Sequence, residues 1–381
     1  RRGRRGLERR GVAVPPAAEL APHRVDRELG VVVARLQPRT GQQVGGAAAA
    51  TFWKKQLLWI GMGFVLWAVL AMMDYKTIRF WVWIAYFGSL VLLVLVLKYG
   101  ITVYGAKRWL DIAGFRIQPS EFGKLGLLLT VSWLLSLKGF DVNKFRYLIL
   151  IAVVTIVPFL LILKEPDLGS SMVIIPFVSV LLFVAKLKWK LVMTFIFMGV
   201  MALPLAYPFL NHYQKERILV FLDPDRDPRN RGWSQLQAEL AVGSGGMYGK
   251  GYMKGTQNTL GFLPKTVSNT DFVFSVIAEE TGFAGTAGLI VLYSLMILGA
   301  LRTALLARDD FGRYLACGIA TVIFFHSVVN IGMSIRLMPV TGIPLPFVSY
   351  GGSFMFTNMI YFGILQSVYA HRNPFLLRNQ Q

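Results

Sequence analysis

The sequence predicts an all-α polytopic membrane protein with nine transmembrane helices and one long extracytoplasmic loop. Of its 381 residues, 55% are hydrophobic and only 16% are charged, whereas soluble domains are about 25% charged. The apolar residues form unbroken blocks near the ~20 residues that a helix needs to cross a bilayer. Phenylalanine (27 residues) and tryptophan (9 residues) are abundant, as is typical of lipid-facing and interfacial surfaces.

The first fifty residues differ from the rest of the chain. They hold ten arginines and four acidic residues, no lysine, and no apolar run of spanning length. Such a segment cannot bury enough apolar surface to fold alone, so we predict that residues 1–50 are disordered. A transmembrane domain is expected over 51–375, followed by a short cytoplasmic tail over 376–381.

Nine apolar blocks are predicted to span the membrane. Backbone groups in lipid must be hydrogen-bonded internally, and blocks of this length fit helices rather than barrel strands. The predicted spans are 56–73, 80–97, 119–137, 146–163, 168–185, 190–208, 272–300, 314–336 and 347–369.

Lysine and arginine placement predicts the orientation, because cytoplasmic loops are enriched in both. Alternate loops are basic, around Lys76, Lys144, Lys188 and Arg308. These loops and the C-terminus are therefore predicted to be cytoplasmic, and the segment 209–271 extracytoplasmic. With nine spans the arginine-rich residues 1–50 would lie outside, against the rule. A tenth, N-terminal helix that residues 1–50 replace would remove this conflict.

Net charge and cysteine content exclude several classes of function. The formal charge of +20 is expected to reflect cytoplasmic loops that contact anionic membrane lipid, rather than nucleic-acid binding. The single cysteine, Cys317, excludes an intrachain disulfide, a cysteine zinc cluster and an iron–sulfur site. The four histidines show no ligand spacing, so no metal site is predicted.

The segment 209–271 is long and glycine-rich, and we expect an irregular but ordered loop that forms the wall of a site. Its Gly249-Lys250 pair is followed by Gly251 instead of serine or threonine, which argues against a phosphate-binding P-loop. The segment ends at Asp271, where polar chain meets a long apolar block. Asp271 fits either a helix N-cap or a general base at the membrane boundary, and the pattern does not separate the two.

Further ionisable residues are predicted at the same outer level. Arg108, Glu121, Lys124 and Asp167 all map there with Asp271. Glu121 and Lys124 are three residues apart and fit either a neutral helix pair or a substrate site. Cations and carboxylates beside lipid suit a substrate with a phosphate head on a lipid tail. Asn330 fits either helix packing or an interhelical hydrogen bond.

Several motifs occur together in an order that resembles one bacterial family. They are Gly105–Trp109, Gln118–Lys124, Glu165–Ser170, Ala241–Gly251, Gly255–Gln257, Thr270–Ser275 with Ala278–Glu280, Met338–Phe347 and Tyr350–Ser353. Over about residues 52–375 the chain resembles the SEDS family (shape, elongation, division and sporulation) of peptidoglycan glycosyltransferases. Within the family it is most similar to the elongation member. The family has ten helices, and it usually has glutamate where this chain has Lys265.

The resemblance implies polymerisation of lipid II into β-1,4 glycan at the outer face of the membrane during cell elongation. Asp271 matches the essential aspartate of the family and would act as general base in an inverting reaction. Arg108 and Lys124 would stabilise the pyrophosphate leaving group. The other expected substrate-binding residues are Trp109, Glu121, Asp167, Ser244, Gln257 and Thr270. The resemblance further implies a class B penicillin-binding protein, a transpeptidase, as partner, besides lipid II, nascent glycan and membrane lipid. No cofactor is identified, and a divalent cation is left open.

Two other functions fit the same residues. A lipid flippase or transporter would need acidic residues spread through the membrane depth, whereas here they cluster at one face. A non-catalytic cell-wall scaffold would tolerate replacement of Asp271.

Overall fold

The computed structural model describes residues 45–372 except 104–105, 113–114, 195–196, 198–200, 202–207, 209–211, 224–230 and 264–267. Within these residues eleven α-helices have defined bounds, besides a 3₁₀ helix at Tyr75–Thr77 and helical residues at 189–194. The eleven α-helices are α1 (Gly45–Met72), α2 (Ile78–Tyr99), α3 (Pro119–Leu135), α4 (Phe145–Lys164), α5 (Leu168–Val184), α6 (His212–Leu222), α7 (Arg231–Ser244), α8 (Thr256–Thr259), α9 (Val273–Leu306), α10 (Asp310–Ser334) and α11 (Gly352–Ala370).

The predicted helical membrane architecture is confirmed. Among the described residues, five stretches are long and apolar enough to cross a membrane: Lys55–Met72, Tyr75–Tyr99, Phe145–Lys164, Val273–Leu306 and Asp310–Ser334. Most of the predicted span at 190–208 lies outside the described residues. Residues 1–44 of the predicted disordered segment 1–50 and the whole predicted tail 376–381 also lie outside them. The count of nine spans stays a prediction.

Three helices form the buried centre of the bundle. α3, α5 and α10 pack against one another, and Leu127, Phe177 and Ile319 on these helices are fully buried. α3 begins with Pro119, whose fixed φ suits the first helical position. α1 and α2 instead expose large apolar side chains such as Phe64 and Phe80, as helices that face lipid do.

A small three-stranded antiparallel sheet joins α2 to α3, which the sequence analysis did not predict. Its strands are β1 (Ile101–Val103), β2 (Ala106–Ile112) and β3 (Phe115–Ile117), in the order β1-β2-β3. Leu110 pairs with Ile117 and Asp111 with Arg116. The sheet matters for the site because β2 carries Arg108.

The segment 209–271 is more regular than predicted. It contains α6, α7 and the short α8, so the expectation of irregular backbone was wrong for these stretches. Helix α7 packs on α9 and buries Ala238 and Ala241. Buried alanines let two helices approach closely. This packing between helices stabilises α7, and a pattern within the sequence of α7 alone does not reveal it.

Helix α9 is interrupted at Gly282, where the glycine-rich loop after α7 packs against it. Gly282 has φ 69° and ψ −164°, a backbone conformation that is essentially restricted to glycine. The Phe283 amide donates to the Gly246 carbonyl at 2.8 Å, and the Ala284 amide donates to the Met247 carbonyl at 3.0 Å. The loop therefore supplies partners for amides that the kink removes from the helix.

Replacing Gly282 by alanine is expected to lower the free energy of unfolding by at least about 2 kcal/mol. The added Cβ would lie 2.3 Å from the Gly249 nitrogen, so backbone would have to move. The measurement is denaturant unfolding in detergent micelles. Gly288→Ala on the same helix is the control, because its Cβ would meet no atom within 4 Å. Equal stability of the two variants would contradict the account.

Candidate active site

Asp271 lies in the turn immediately before α9, and its position is fixed mainly through the backbone. The fully buried Asn330 on α10 donates from Nδ2 to the Asp271 carbonyl at 3.0 Å and to the Ile343 carbonyl at 2.8 Å. Ser349 donates from Oγ to the Thr270 carbonyl at 2.6 Å. The residue as a whole is only partly buried, so these bonds fix the turn without enclosing Asp271 completely.

Two arginines lie close enough to influence the Asp271 carboxyl group. Arg217, on α6, donates from Nη1 to the Thr341 carbonyl at 2.7 Å. A Cβ built on the neighbouring Gly342 would lie 3.5 Å from Asp271 Oδ2 and 3.9 Å from Arg217 Nη2, so both groups flank this glycine. Burial raises the pKa of Asp271 above its usual value, while Arg217, the Thr270 hydroxyl and Arg108 act in the opposite direction.

Arg108 is held against the turn between α4 and α5. Its Nη1 lies 3.9 Å from Asp167 Oδ1, and its guanidinium donates to the carbonyls of Glu165 and Pro166. Asp167 also accepts hydrogen bonds from Gln118 Nε2 and the Ser170 amide, at 3.2 Å and 3.1 Å. Burial opposes ionisation of Asp167, but Arg108 and the Ser170 bonds hold its pKa below the usual value. Asp167 is therefore an ionised carboxylate that orients Arg108.

Glu165, which was not assigned a role from the sequence, lies in the same turn. It is fully buried, and neither carboxyl oxygen has a hydrogen-bond partner among the described residues. Burial and the neighbouring Asp167 raise the pKa of Glu165 to about 9, with Arg108 acting against them. Glu165 is thus expected to be neutral at pH 7, so it adds no negative charge beside Arg108.

Glu121 and Lys124 form a buried ion pair on α3. Lys124 Nζ lies 2.9 Å from Glu121 Oε1 and 3.3 Å from His326 Nε2, and both charged side chains are 3% exposed or less. His326 Nδ1 lies 3.1 Å from the Pro344 carbonyl. A carbonyl can only accept, so Nδ1 carries the proton and Nε2 accepts from Lys124. Lys124 is therefore occupied inside the bundle, which departs from its expected role at the pyrophosphate.

One of the expected substrate residues, Gln257, belongs to a different cluster, around Glu279 on α9. Glu279 is fully buried and accepts from Lys250 Nζ at 2.7 Å and from the Gln257 amide at 3.1 Å. Ser244 donates to the Ala241 carbonyl at 3.0 Å. A Cβ at Gly245 would lie 2.0 Å from the Ala278 carbonyl oxygen. The glycine-rich motif thus serves close packing of this loop on α9.

The structure brings Arg108, Asp167, Thr270 and Asp271 into one electrostatically connected group. Trp109 follows Arg108 on β2, where Trp109 pairs with Ile101 and Lys107 pairs with Thr102, so that Arg108 is the extra residue of a β-bulge. Sequence reasoning missed Arg217, since α6 carried no recognised motif. Within the described part of the chain, no group of three histidine, cysteine or acidic side chains is arranged to hold a metal ion.

Comparison with known proteins gives consistent matches along nearly the whole chain. The FtsW/RodA/SpoVE family profile, described as a cell cycle protein, matches residues 28–374. Peptidoglycan glycosyltransferase MrdB of Escherichia coli (strain K12) is 36% identical over 334 residues, covering 87% of this chain and 88% of the relative. Peptidoglycan glycosyltransferase RodA of Treponema pallidum is 30% identical, covering 84% of this chain and 89% of the relative.

Solved structures of peptidoglycan synthesis proteins are also similar to this chain. One match is a peptidoglycan synthase complex, whose structure is described as "Structural coordination of polymerization and crosslinking by a peptidoglycan synthase complex". Its TM-score is 0.74 and its identity 31%, and the match covers 91% of this chain and 95% of the other. The crystal structure of the rod shape determining protein RodA of Thermus thermophilus matches with a TM-score of 0.63 and 31% identity, covering 84% of this chain and 88% of the other.

Proposed function

The chain belongs to the FtsW/RodA/SpoVE family and is a peptidoglycan glycosyltransferase, and we propose that Asp271 is the general base of its reaction. The substrate in this proposal is lipid II, a disaccharide-pentapeptide on a polyprenyl pyrophosphate. The observation that carries the proposal is the position of the partly buried Asp271 under the electrostatic influence of Arg217 and of the Arg108–Asp167 pair.

A base is needed because a sugar hydroxyl is a poor nucleophile. A positioned carboxylate that takes the hydroxyl proton as the bond forms speeds such a step by about 10²–10⁴-fold. The raised pKa of Asp271 makes it a stronger base than an exposed aspartate, yet the nearby arginines favour the ionised form that the reaction requires. Displacement of an α-linked pyrophosphate by that hydroxyl gives the β-linkage directly, by inversion.

The leaving pyrophosphate gains negative charge in the transition state and needs fixed positive charge nearby. We assign this role to Arg108 and Arg217, both of which act electrostatically on Asp271. Arg217 replaces Lys124 in the assignment because Lys124 is buried against Glu121 and His326. The remaining expected contacts, Trp109, Ser244 and Gln257, stay proposals for distal parts of the substrate or the growing glycan.

The protein is a multi-pass membrane protein, and we propose that the Asp271 turn lies on the extracytoplasmic side, with the C-terminus in the cytoplasm. The basic residues Lys76, Lys144 and Arg308 support this orientation. We also propose a class B penicillin-binding protein as partner. This is supported by the similarity to a synthase complex that coordinates polymerization and crosslinking.

The pH dependence of polymerisation tests the base assignment. Protonated Asp271 cannot accept a proton, so the rate should fall as pH drops through its pKa, which lies above the value of an ordinary aspartate. Arg217→Gln removes the largest influence that lowers this pKa. We expect the acid limb of the rate profile to move to higher pH. The measurement is the initial rate of glycan formation from labelled lipid II across a pH series.

Lys215→Gln is the matched control, since it removes a positive charge from the same helix and Lys215 is not among the main influences on the Asp271 pKa. Its acid limb should coincide with that of the wild type. An unshifted limb in Arg217→Gln would count against Asp271 as the titrating base.

A further inference from the structure

A groove of about 310 Å³ lies between the last turns of α9 and α11, away from the Asp271 turn. Ser349 and Tyr350, just before α11, bond the carbonyls of Thr270 and Asn269, just before α9. The two helices therefore begin on one side of the membrane and end together on the other. By the orientation proposed above, the groove faces the cytoplasmic leaflet.

Polarity changes along the groove in one direction. Met296 and Phe362 line its deeper end, whereas Arg302, Gln366 and Tyr369 line the end nearest the helix termini. Gly299 forms part of the wall, and a Cβ there would meet no atom within 4 Å, so this part of the groove is open. An apolar path that ends at polar and cationic side chains matches a phospholipid, with its chain in the membrane and its phosphate at the surface.

Within the described part of the chain, no acidic side chain neutralises the positive charge at this end. Arg302 is exposed and makes no hydrogen bond or ion pair with the residues that the structure describes. The acidic residues that follow α9 are already paired, Asp309 with Arg79 at 2.7 Å and Asp310 with Arg313 at 2.9 Å.

A second cation lies near the same end of the groove. The Arg372 guanidinium sits 4.1 Å from the centre of the Tyr369 ring. Its Nε is buried without a hydrogen-bond partner among the described residues. Two arginines at the cytoplasmic ends of adjacent helices are typical of sites for anionic lipid headgroups.

We propose that the groove between α9 and α11 binds one anionic phospholipid, with an acyl chain between Met296 and Phe362 and the phosphate at Arg302. This site is separate from the catalytic turn and takes a membrane lipid rather than the lipid-linked substrate. A lipid bound in this groove contacts the ends of both α9 and α11 and so stabilises their packing. Helix α9 is the helix that follows Asp271.

Native mass spectrometry of the purified protein tests the proposal with phosphatidylglycerol and phosphatidylcholine of identical chains. The wild type should bind phosphatidylglycerol more tightly, and Arg302→Gln should weaken that binding about fivefold while leaving phosphatidylcholine unchanged. Gly299→Leu should weaken binding of both lipids, because the added side chain fills the chain path.

Matched controls are Arg308→Gln, which removes an exposed charge at the same end, and Gly288→Leu, which fills open space elsewhere on α9. Both should bind phosphatidylglycerol like the wild type. Equal affinity of the wild type for the two lipids would overturn the proposal. The proposal would also be overturned if Arg302→Gln and Gly299→Leu bound phosphatidylglycerol as tightly as their control variants do. Binding of glycerol phosphate, which has no acyl chain, as tightly as the lipid would overturn it as well.

Discussion

Replacement of Lys124 by methionine is expected to destabilise the protein by about 3–5 kcal/mol, because it leaves the buried Glu121 carboxylate without its counter-charge. His326 Nε2 would lose its donor at the same time. The measurement is the free energy of unfolding from denaturant titration in detergent micelles.

Two control variants test whether the loss of stability comes from leaving a buried charge unpaired or from breaking an ion pair as such. The double variant Glu121→Gln with Lys124→Met should recover most of the loss, since no uncompensated charge remains. Arg313→Ala breaks a pair of the same spacing and length, Arg313 to Asp310 at 2.9 Å, but in an exposed position. It should have little effect. A loss in Arg313→Ala as large as in Lys124→Met would show that the pair's burial is not the cause.

These two pairs show why the sequence predicts the fold better than the site. The apolar blocks are long enough to indicate membrane helices by themselves, and the bounds of α2, α3, α4, α5 and α10 lie within four residues of predicted spans. Glu121–Lys124 and Asp310–Arg313 have the same i, i+3 spacing, yet one pair is buried and the other exposed. Burial depends on which helices pack around a pair, and the spacing carries no information about it.

The site could be predicted where charged residues flank recognisable membrane spans. Arg108, Asp167 and Asp271 were expected at one level, and their mutual electrostatic influence is consistent with that expectation. Arg217 and the burial of Glu165 could not be predicted, because both depend on how the segments on either side of the spans fold back. The strands around Arg108 were also missed, since three-residue strands such as β1 are too short to show a period.

The glycine-rich motif after α7 shows a second reason why the sequence does not predict the site. Its glycines suggested a surface loop around substrate, but Gly245 and Gly249 lie against the backbone of α9, where any side chain would clash. A sequence shows that glycine is present and leaves open whether a ligand or another helix requires it.

Replacement of Asp271 by asparagine is expected to reduce the rate of glycan polymerisation by about 10²–10⁴-fold, the usual contribution of a general base. Asparagine has nearly the same shape but cannot take the hydroxyl proton. Asn330 bonds the backbone carbonyl of residue 271, so the turn should keep its position in the variant. The binding of lipid II should therefore change little. Asp223→Asn, an exposed aspartate just after α6, is the matched control.

The most direct test compares wild type, Asp271→Asn and Asp223→Asn, each assembled with the proposed transpeptidase partner and supplied with labelled lipid II at neutral pH. The account predicts glycan chains at similar rates from the wild type and from Asp223→Asn, and polymerisation about 10²–10⁴-fold slower from Asp271→Asn despite normal unfolding and lipid II binding. Polymer from Asp271→Asn at the wild-type rate would contradict it.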